Sequence, residues 1–137
     1  MILDTSALVA VIMAEHPAPA LFDVLADAPV IGIGAPSLVE TAMVLNGRLA
    51  GSSPDASSRL AVLMARFDIE VLPFVAQHWP VAWAAFLRFG RGRHRAGLNF
   101  GDCLAYATAR LAGRPLLCLG NDFAHTDLEL VPLRGEL

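Results

Sequence analysis

The sequence contains no lysine, and its basic residues other than histidine are ten arginines. Without lysine the chain cannot form a Schiff base, use a lysine as general base or build the Gly-Lys pair of a P-loop. The absence also argues against a phospho-receiver domain, which has a similar length but uses a lysine. Several large classes of enzyme and signalling protein are therefore excluded.

Cysteine is also scarce, and the two residues present, Cys103 and Cys118, are too few for a disulfide scaffold. Their spacing does not match a metal-binding cysteine pair, and both lie in apolar surroundings. We therefore expect two buried free thiols.

Excess basic charge and membrane-type segments are missing as well. The formal net charge is −3, which provides no general basic field to attract nucleic acid. The longest uncharged stretch, residues 71–87, is interrupted by prolines, a glutamine and a histidine and makes a poor membrane span. No basic segment precedes the first apolar run, which Asp4 interrupts, so a secretory signal is not expected. These features predict a cytoplasmic protein without a membrane segment.

What the sequence does contain is enough apolar material for a complete core, since 55% of its 137 residues are hydrophobic. No internal repeat divides residues 1–137, which we interpret as a single domain. Short apolar runs predict strands at 1–3, 30–33, 69–72, 116–119 and 130–131, and helical spacing predicts helices at 5–14, 17–26, 37–49, 60–67, 75–86 and 102–112. Because strands and helices alternate, we expect the α/β class with a parallel sheet covered on both faces.

In such a sheet, ligands bind outside the carboxyl ends of the strands. Asp4 follows the first predicted strand, and Asn121 and Asp122 follow the strand at 116–119. Each could serve structure alone, since Asp4 suits a helix N-cap and Asn121-Asp122 suits a turn. Alternatively, these side chains are metal ligands that share one edge of the sheet.

Two further acidic residues lie on predicted helices. Glu40 belongs to an almost wholly apolar helix, and no arginine stands three or four positions away to pair with it. Asp102 fits the first turn of a helix capped by Asn99, where it favours the helix dipole. The predicted helix at 102–112 is nevertheless mostly apolar, and helix capping does not explain why an acid begins a helix of this kind. A structural and a functional interpretation are open for both acids.

The four acidic residues together indicate more than any one of them alone. Gathering carboxylates costs free energy through like-charge repulsion. Mg²⁺, or Mn²⁺ as its substitute, offsets that cost because these ions prefer oxygen ligands. Clustered carboxylates that hold such ions are a common solution for cleaving phosphodiester bonds.

Four stretches resemble, in order and spacing, the motifs of PIN-domain ribonucleases, and most of all those of VapC, the toxin of VapBC toxin–antitoxin pairs. They are Ile2-Leu3-Asp4-Thr5-Ser6-Ala7, Pro36-Ser37-Leu38-Val39-Glu40, Leu98-Asn99-Phe100-Gly101-Asp102-Cys103, and Gly120-Asn121-Asp122-Phe123 through Thr126-Asp127. The resemblance covers essentially the whole chain. It implies a three-layer α/β/α sandwich, Mg²⁺-dependent endoribonuclease activity on RNA, inhibition by a cognate VapB antitoxin and, commonly, a homodimer.

The resemblance carries over Asp4, Glu40 and Asp102 as catalytic residues and metal ligands. It implies that Glu40 binds the ion through a water or orients the attacking water. The fourth acidic position is open, because related chains often have an acid where Asn121 stands. Asp122 is our preferred residue there, and the alternatives are Asn121 and Asp127.

The densest basic run spans residues 88–95 and includes Arg91, Arg93 and Arg95. Part of this run is typical of one VapC subgroup. We interpret it either as a solvated flexible loop or as a clamp for the RNA backbone beside the acidic pocket.

Trp79, Trp83 and Phe86 follow one another at helical spacing. Base stacking on RNA is one interpretation of such a set. The spacing favours packing in the core or in a dimer instead.

Three other functions are weaker interpretations of the same residues. An aspartyl phosphatase would use Asp4 as nucleophile but requires a second aspartate where Ser6 stands. Gly32-Ile33-Gly34 lacks the third glycine of a dinucleotide-binding loop. A catalytically silent PIN domain that only binds RNA or protein is the main alternative, and the four retained acidic positions count against it.

Overall fold

The computed structural model describes residues 1–134 and confirms the predicted alternation of strands and helices over this range. Four short strands are present there: β1 (Ile2–Leu3), β2 (Gly32–Gly34), β3 (Glu70–Leu72) and β4 (Leu116–Leu117). The same range contains six α-helices and a 3₁₀ turn: α1 (Thr5–Ile12), α2 (Ala18–Asp27), α3 (Ala35–Arg48), α4 (Ala56–Arg66), α5 (His78–Phe89), α6 (Phe100–Ala112) and the turn Phe123–His125.

All four strands run parallel in the order β3-β2-β1-β4, so β1 lies inside the sheet. Ile2 pairs with Gly32 on one side and with Leu116 on the other. The predicted strand at 130–131 is reduced to a single bridge between Leu130 and Leu116. The prediction of a parallel α/β sheet is confirmed, although its fifth strand is weaker than expected.

The sheet divides the core into two parts, because successive residues of a strand point to opposite faces. Leu3, Ile33 and Leu117 pack into the cluster on the side of α1 to α4. Ile2 and Leu116 pack into the other cluster, together with α5 and α6. Helices therefore cover both faces, which makes the fold a three-layer α/β/α sandwich and explains why β1, β2 and β4 carry no polar side chain, whereas the edge strand β3 begins with the exposed Glu70.

Three helices, α3, α4 and α6, begin earlier than predicted, and the local sequence explains the starts of α3 and α6. α3 begins directly after β2 because Pro36 fits a first helical turn. α6 begins at Phe100 because Asn99 caps it by accepting a hydrogen bond from the backbone N–H of Asp102. α6 ends at Gly113, whose φ of 64° is the left-handed conformation that glycine adopts readily.

The two tryptophans of α5 lie outside the core of the chain, so the core half of the prediction is wrong, and packing in a dimer stays a prediction. Trp79 is 63% exposed and Trp83 is 52% exposed. The buried stripe of α5 consists instead of Ala82, Ala85 and Phe89. The two alanines let α5 pack closely against α6, and the larger aromatic side chains are left on its outer side.

Two smaller observations complete the description of the fold. Both cysteines are free, with Cys103 buried and Cys118 partly buried. Among the helices of residues 1–134, none offers the uninterrupted apolar length that a membrane span requires.

Candidate active site

Asp4 lies at the carboxyl end of β1 and is only 7% exposed. Its backbone N–H donates to the carbonyl of Leu117 across the sheet, with an N···O distance of 2.9 Å. Its Oδ2 accepts two hydrogen bonds from Ser6, one from the backbone N–H at 3.1 Å and one from the hydroxyl at 2.6 Å. Asp4 is therefore the N-cap of α1, as the structural interpretation predicted, and also a carboxylate fixed at the sheet edge.

Ser6 links two parts of this edge. Besides donating to Asp4, its Oγ accepts a hydrogen bond from the backbone N–H of Leu119 at 3.0 Å. The segment after β4, which carries Asn121 and Asp122, is thereby tied to the carboxylate that follows β1. The sequence predicts only a helix start at Ser6. The second bond joins residues 113 positions apart, and no local pattern could have indicated it.

Asp102 occupies the first turn of α6 and forms a capping box with Asn99. Its Oδ2 accepts a hydrogen bond from the backbone N–H of Asn99 at 3.0 Å, and the reciprocal bond measures 2.8 Å. Burial raises the pKa of Asp102 to about 6, although the Asn99 bond opposes the shift. Three neighbouring negative charges act in the same direction as burial: Asp4, Asp122 and Glu40. The cap is thus confirmed, and Asp102 lies within the field of the other acids.

Glu40 extends from α3 to the first turn of α6, where its carboxylate lies against Gly101. Burial raises the pKa of Asp4, and the negative charge of Glu40 raises it further. Because Glu40 also contributes to the pKa of Asp102, it lies within electrostatic range of both aspartates. The contact with Gly101 is the feature of this acid that the sequence did not predict.

Cys118 lies within electrostatic range of three of the acids. The pKa of its thiol is raised to about 12, first by burial and then by the charges of Asp4, Asp102 and Asp122. These carboxylates come from the ends of β1 and β4 and from the start of α6. Burial and the Asp102 charge likewise raise the pKa of Cys103 to about 11. Both thiols are therefore protonated at neutral pH, and neither is a thiolate ligand.

The four acids share one edge but stand apart from one another. Within residues 1–134, no three His, Cys, Asp or Glu side chains are close enough to make a ready-formed metal site. The donor set fits a hard divalent cation, because its atoms are carboxylate oxygens.

Asp127, one of the candidates for the fourth acidic position, is bound elsewhere. Its carboxylate accepts a hydrogen bond from the Tyr106 hydroxyl at 2.6 Å and pairs with Arg110. Arg110 lies two turns beyond Asp102 on α6, about 12 Å along the helix axis. Asp122 differs in that its charge contributes to the pKa of Asp102. Asp127 is therefore engaged by Tyr106 and Arg110, whereas Asp122 lies within electrostatic range of Asp102 and stays the preferred prediction for the fourth position.

The arginine-rich segment forms an ordered loop between α5 and α6. A bridge between Gly90 and Leu98 closes the loop, which ends next to the helix turn that carries Asp102. The guanidinium of Arg93 lies 5.2 Å from the centre of the Phe86 ring. The exposed basic side chains of the loop are Arg91, Arg93 and Arg95. The loop is thus hydrogen-bonded across its base, next to the start of α6.

An exposed apolar surface adjoins the acidic edge. We call it the apolar face, and it consists of Val39, Met43, Val44, Trp79, Trp83 and Phe100. Met43 is 70% exposed and Phe100 81% exposed. Phe100 lines both a groove of about 620 Å³ between α3 and α6 and a second groove beside α5, which makes the face continuous. Glu40 and Gly101 line the first groove as well. A continuous apolar face of this kind is typical of an interface.

Known proteins resemble this chain over most of its length. The profile of the PIN domain family matches residues 1–129. Ribonuclease VapC36 of Mycobacterium tuberculosis is 45% identical over 130 residues, which cover 94% of this chain and 91% of that protein. Ribonuclease VapC of Mycolicibacterium smegmatis is 39% identical over 131 residues, which cover 96% of this chain and 99% of that protein.

Solved structures share the fold at lower identity. The crystal structure of Mycobacterium tuberculosis VapC20, a toxin that cleaves the sarcin-ricin loop, matches with a TM-score of 0.75 at 22% identity, over 95% of this chain and 97% of that one. VapBC2 from Rickettsia felis, bound to a DNA fragment from its promoter, matches with a TM-score of 0.72 at 20% identity, over 95% and 96% of the two chains.

The bridging role of Ser6 leads to a prediction about stability. Replacing Ser6 by Ala leaves the Leu119 N–H without its acceptor and removes the shortest hydrogen bond to Asp4. We expect the free energy of unfolding of the metal-free protein to fall by about 1 to 2 kcal/mol. Equilibrium urea unfolding measures this change.

The matched control is Ser57→Ala, because Ser57 is an exposed serine in the first turn of α4. It should alter the free energy of unfolding by less than about 0.5 kcal/mol. Equal effects of the two substitutions would contradict the bridging role of Ser6.

Proposed function

Because this chain belongs to the PIN-domain family of VapC ribonucleases, we propose that it hydrolyses RNA phosphodiester bonds with a divalent cation at the carboxyl edge of its sheet. The proposed catalytic residues are Asp4, Glu40, Asp102 and Asp122. The observation that carries the proposal is the geometry of one sheet edge: Asp4 follows the inner strand β1, and Glu40 extends from α3 to the first helical turn that carries Asp102.

Asp4 and Asp102 are the proposed direct ligands of the cation, and Glu40 holds a bound water or orients the attacking one. Mg²⁺ is the proposed ion, with Mn²⁺ as a substitute, since both favour carboxylate oxygens. When bound, the ion supplies Lewis acidity that activates water and offsets charge on the reacting phosphate. The hydrogen bonds from Ser6 and Asn99 hold the two aspartates in place.

Asp122 is the proposed fourth member of the site. It is exposed at the start of the 3₁₀ turn and adds negative charge within electrostatic range of Asp102. Asn121 precedes it and offers an amide oxygen without charge. Asp122 therefore contributes more to holding a cation than Asn121 does.

The loop of Arg91, Arg93 and Arg95 is the proposed contact for the RNA backbone. The net charge of the chain is −3, so attraction of RNA requires a local basic source. The loop supplies one and ends at the helix that carries Asp102. Phosphates that it binds are thus directed toward the acidic edge.

A VapB-type antitoxin is the partner expected for a VapC toxin. VapBC2 of Rickettsia felis is such a toxin–antitoxin complex, and it shares the fold of this chain. We infer that binding of the antitoxin inhibits the ribonuclease and that its release allows RNA to be cut.

A second copy of the chain is the proposed occupant of the apolar face. The six residues of this face carry no charge, so two copies meet there without repulsion. RNA fits the face less well, because none of its six residues carries a positive charge that would contact a phosphate backbone. Base stacking on Trp79 or Trp83 is the competing use of the same surface.

The alternative function is a catalytically silent PIN domain that binds RNA or protein. Such a module has no need for oriented carboxylates at the sheet edge. Helix capping accounts for the hydrogen bonds of Asp4 and Asp102 but not for Glu40, which extends from α3 to the turn that carries Asp102, and this arrangement favours the enzyme over the silent module.

Replacing Asp4 by Asn tests the enzyme directly. The amide keeps the shape of the side chain but removes the charge of a proposed ligand, so we expect RNA cleavage in Mg²⁺ to fall by about 100-fold or more. Gel assays across a magnesium titration measure this loss, and EDTA should abolish cleavage by the wild type.

Asp23→Asn is the control, because Asp23 is exposed on α2. It should cleave RNA like the wild type, and circular dichroism should show that both variants are folded. Full activity of Asp4→Asn, or cleavage that survives EDTA, would contradict the proposed chemistry and favour the silent module.

The double variant Arg91→Ala, Arg93→Ala tests the RNA-binding loop. Each arginine that neutralises a phosphate of a single strand adds about 0.7 to the slope of log affinity against log salt, so removing two should lower the slope by about 1.4. Fluorescence anisotropy with single-stranded RNA in EDTA measures binding without cleavage. Arg59→Ala on α4 is the control and should leave the slope unchanged. An unchanged slope in the double variant would refute the proposed role of the loop.

Met43→Glu tests the proposed dimer. A charge in the middle of the apolar face should convert a dimer of about twice 14.6 kDa into a monomer. Light scattering after size exclusion measures the mass. Val62→Glu, on α4 and outside the apolar face, is the control and should leave the dimer intact. A monomeric wild type whose RNA affinity falls in Trp83→Ala would favour base stacking instead.

A further inference from the structure

Gly101 occupies a position where glycine is not required by the backbone. It lies in the first turn of α6, and its φ is outside the left-handed region. Alanine suits a helix better than glycine by about 1 kcal/mol. The presence of glycine in this turn therefore calls for a reason other than backbone conformation.

The space beside Gly101 supplies that reason. An ideal Cβ built on Gly101 would meet the Glu40 carboxylate, with Cδ at 3.1 Å, Oε1 at 3.2 Å and Oε2 nearer still. The three nearest heavy atoms all belong to this one side chain. The carboxylate thus occupies the place that any other residue at position 101 would fill with its Cβ.

The contact brings Glu40 to a helix N-terminus and next to a second acid. The backbone N–H groups of the first helical turn have no partner within the helix, and they favour negative charge nearby. Asp102 follows Gly101 directly in this turn. Asp4 and Asp102 are each oriented by hydrogen bonds, whereas Glu40 is oriented by this packing contact.

We propose that Gly101 is a positioning residue: its missing side chain admits the Glu40 carboxylate to the first turn of α6 and so sets Glu40 beside Asp102 at the cation site. The inference rests on the proposed function, since it takes that site as given. It assigns the glycine a role in cation binding that acts through Glu40 and not through the fold.

The proposal predicts a protein that folds normally but binds metal poorly. In Gly101→Ala the flexible end of Glu40 moves aside, because that side chain alone supplies the three nearest atoms to the added methyl. Helix propensity should keep the melting temperature in EDTA equal to that of the wild type or raise it. Mn²⁺ affinity, measured by calorimetry without RNA, should fall by about tenfold or more.

Gly47→Ala is the matched control. Gly47 lies inside α3, and an added Cβ there meets no atom within 4 Å. The substitution brings the same gain in helix propensity without touching the site. It should keep both the Mn²⁺ affinity and the RNA cleavage of the wild type.

A double variant separates action through Glu40 from any other effect. Glu40→Ala removes the side chain that the methyl would displace, so adding Gly101→Ala to it should cause no further loss of Mn²⁺ affinity. Carboxyl-carbon NMR of the metal-free protein provides a second readout: the Glu40 signal should shift in Gly101→Ala and stay in place in Gly47→Ala.

The outcomes distinguish this inference from the function on which it rests. The positioning role would be overturned if Gly101→Ala kept the Mn²⁺ affinity of the wild type. It would also be overturned if Gly101→Ala lowered the Mn²⁺ affinity of Glu40→Ala as much as it lowers that of the wild type. Neither outcome would contradict the ribonuclease activity. A wild type that neither binds Mn²⁺ nor cuts RNA would overturn the proposed function and the positioning role with it.

Discussion

Repulsion among carboxylates at one edge of the sheet is the constraint that the rest of this structure satisfies. Burying a charge without compensation costs on the order of several kcal/mol, and Asp4 is only 7% exposed. The chain compensates locally, since Ser6 donates two hydrogen bonds to Asp4 and Asn99 donates its backbone N–H to Asp102. Both acids also lie at helix N-termini, where the dipole favours negative charge. Capping a helix and presenting a ligand are therefore compatible roles here, because the cap that orders the helix also holds the carboxylate at the edge.

The strand order explains why acids so distant in sequence meet. β1 lies between β2 and β4, so the segments that follow these three parallel strands emerge side by side. Asp4 follows β1, Asp122 follows β4, and Glu40 lies in the helix that begins directly after β2. α6 packs against α3 and β2, which brings Asp102 to the same edge. An antiparallel neighbour would carry its following segment to the opposite edge, so parallel pairing is what assembles the site.

Features that depend on nearby residues could be predicted from the sequence, and features that depend on distant contacts could not. The alternation of strands and helices, the Asn99 cap and the candidate acids all follow from patterns a few residues long. The bond from Leu119 to Ser6 depends on the sheet being assembled, and so does the contact of Glu40 with α6. The exposure of the tryptophans of α5 could not be predicted for a different reason. Periodicity identifies an apolar side of a helix, but a core and an exposed interface leave the same pattern.

The apolar face adjoins the acidic edge, because Glu40 and Gly101 line the same groove as Val39 and Met43. In the proposed dimer, a second copy of the chain that packs on this face excludes water from one side of Glu40. The lower local dielectric strengthens the attraction between the Glu40 carboxylate and a cation bound beside it. In the proposed dimer, cation binding therefore favours the assembled state. By linkage, assembly must then favour cation binding by the same factor.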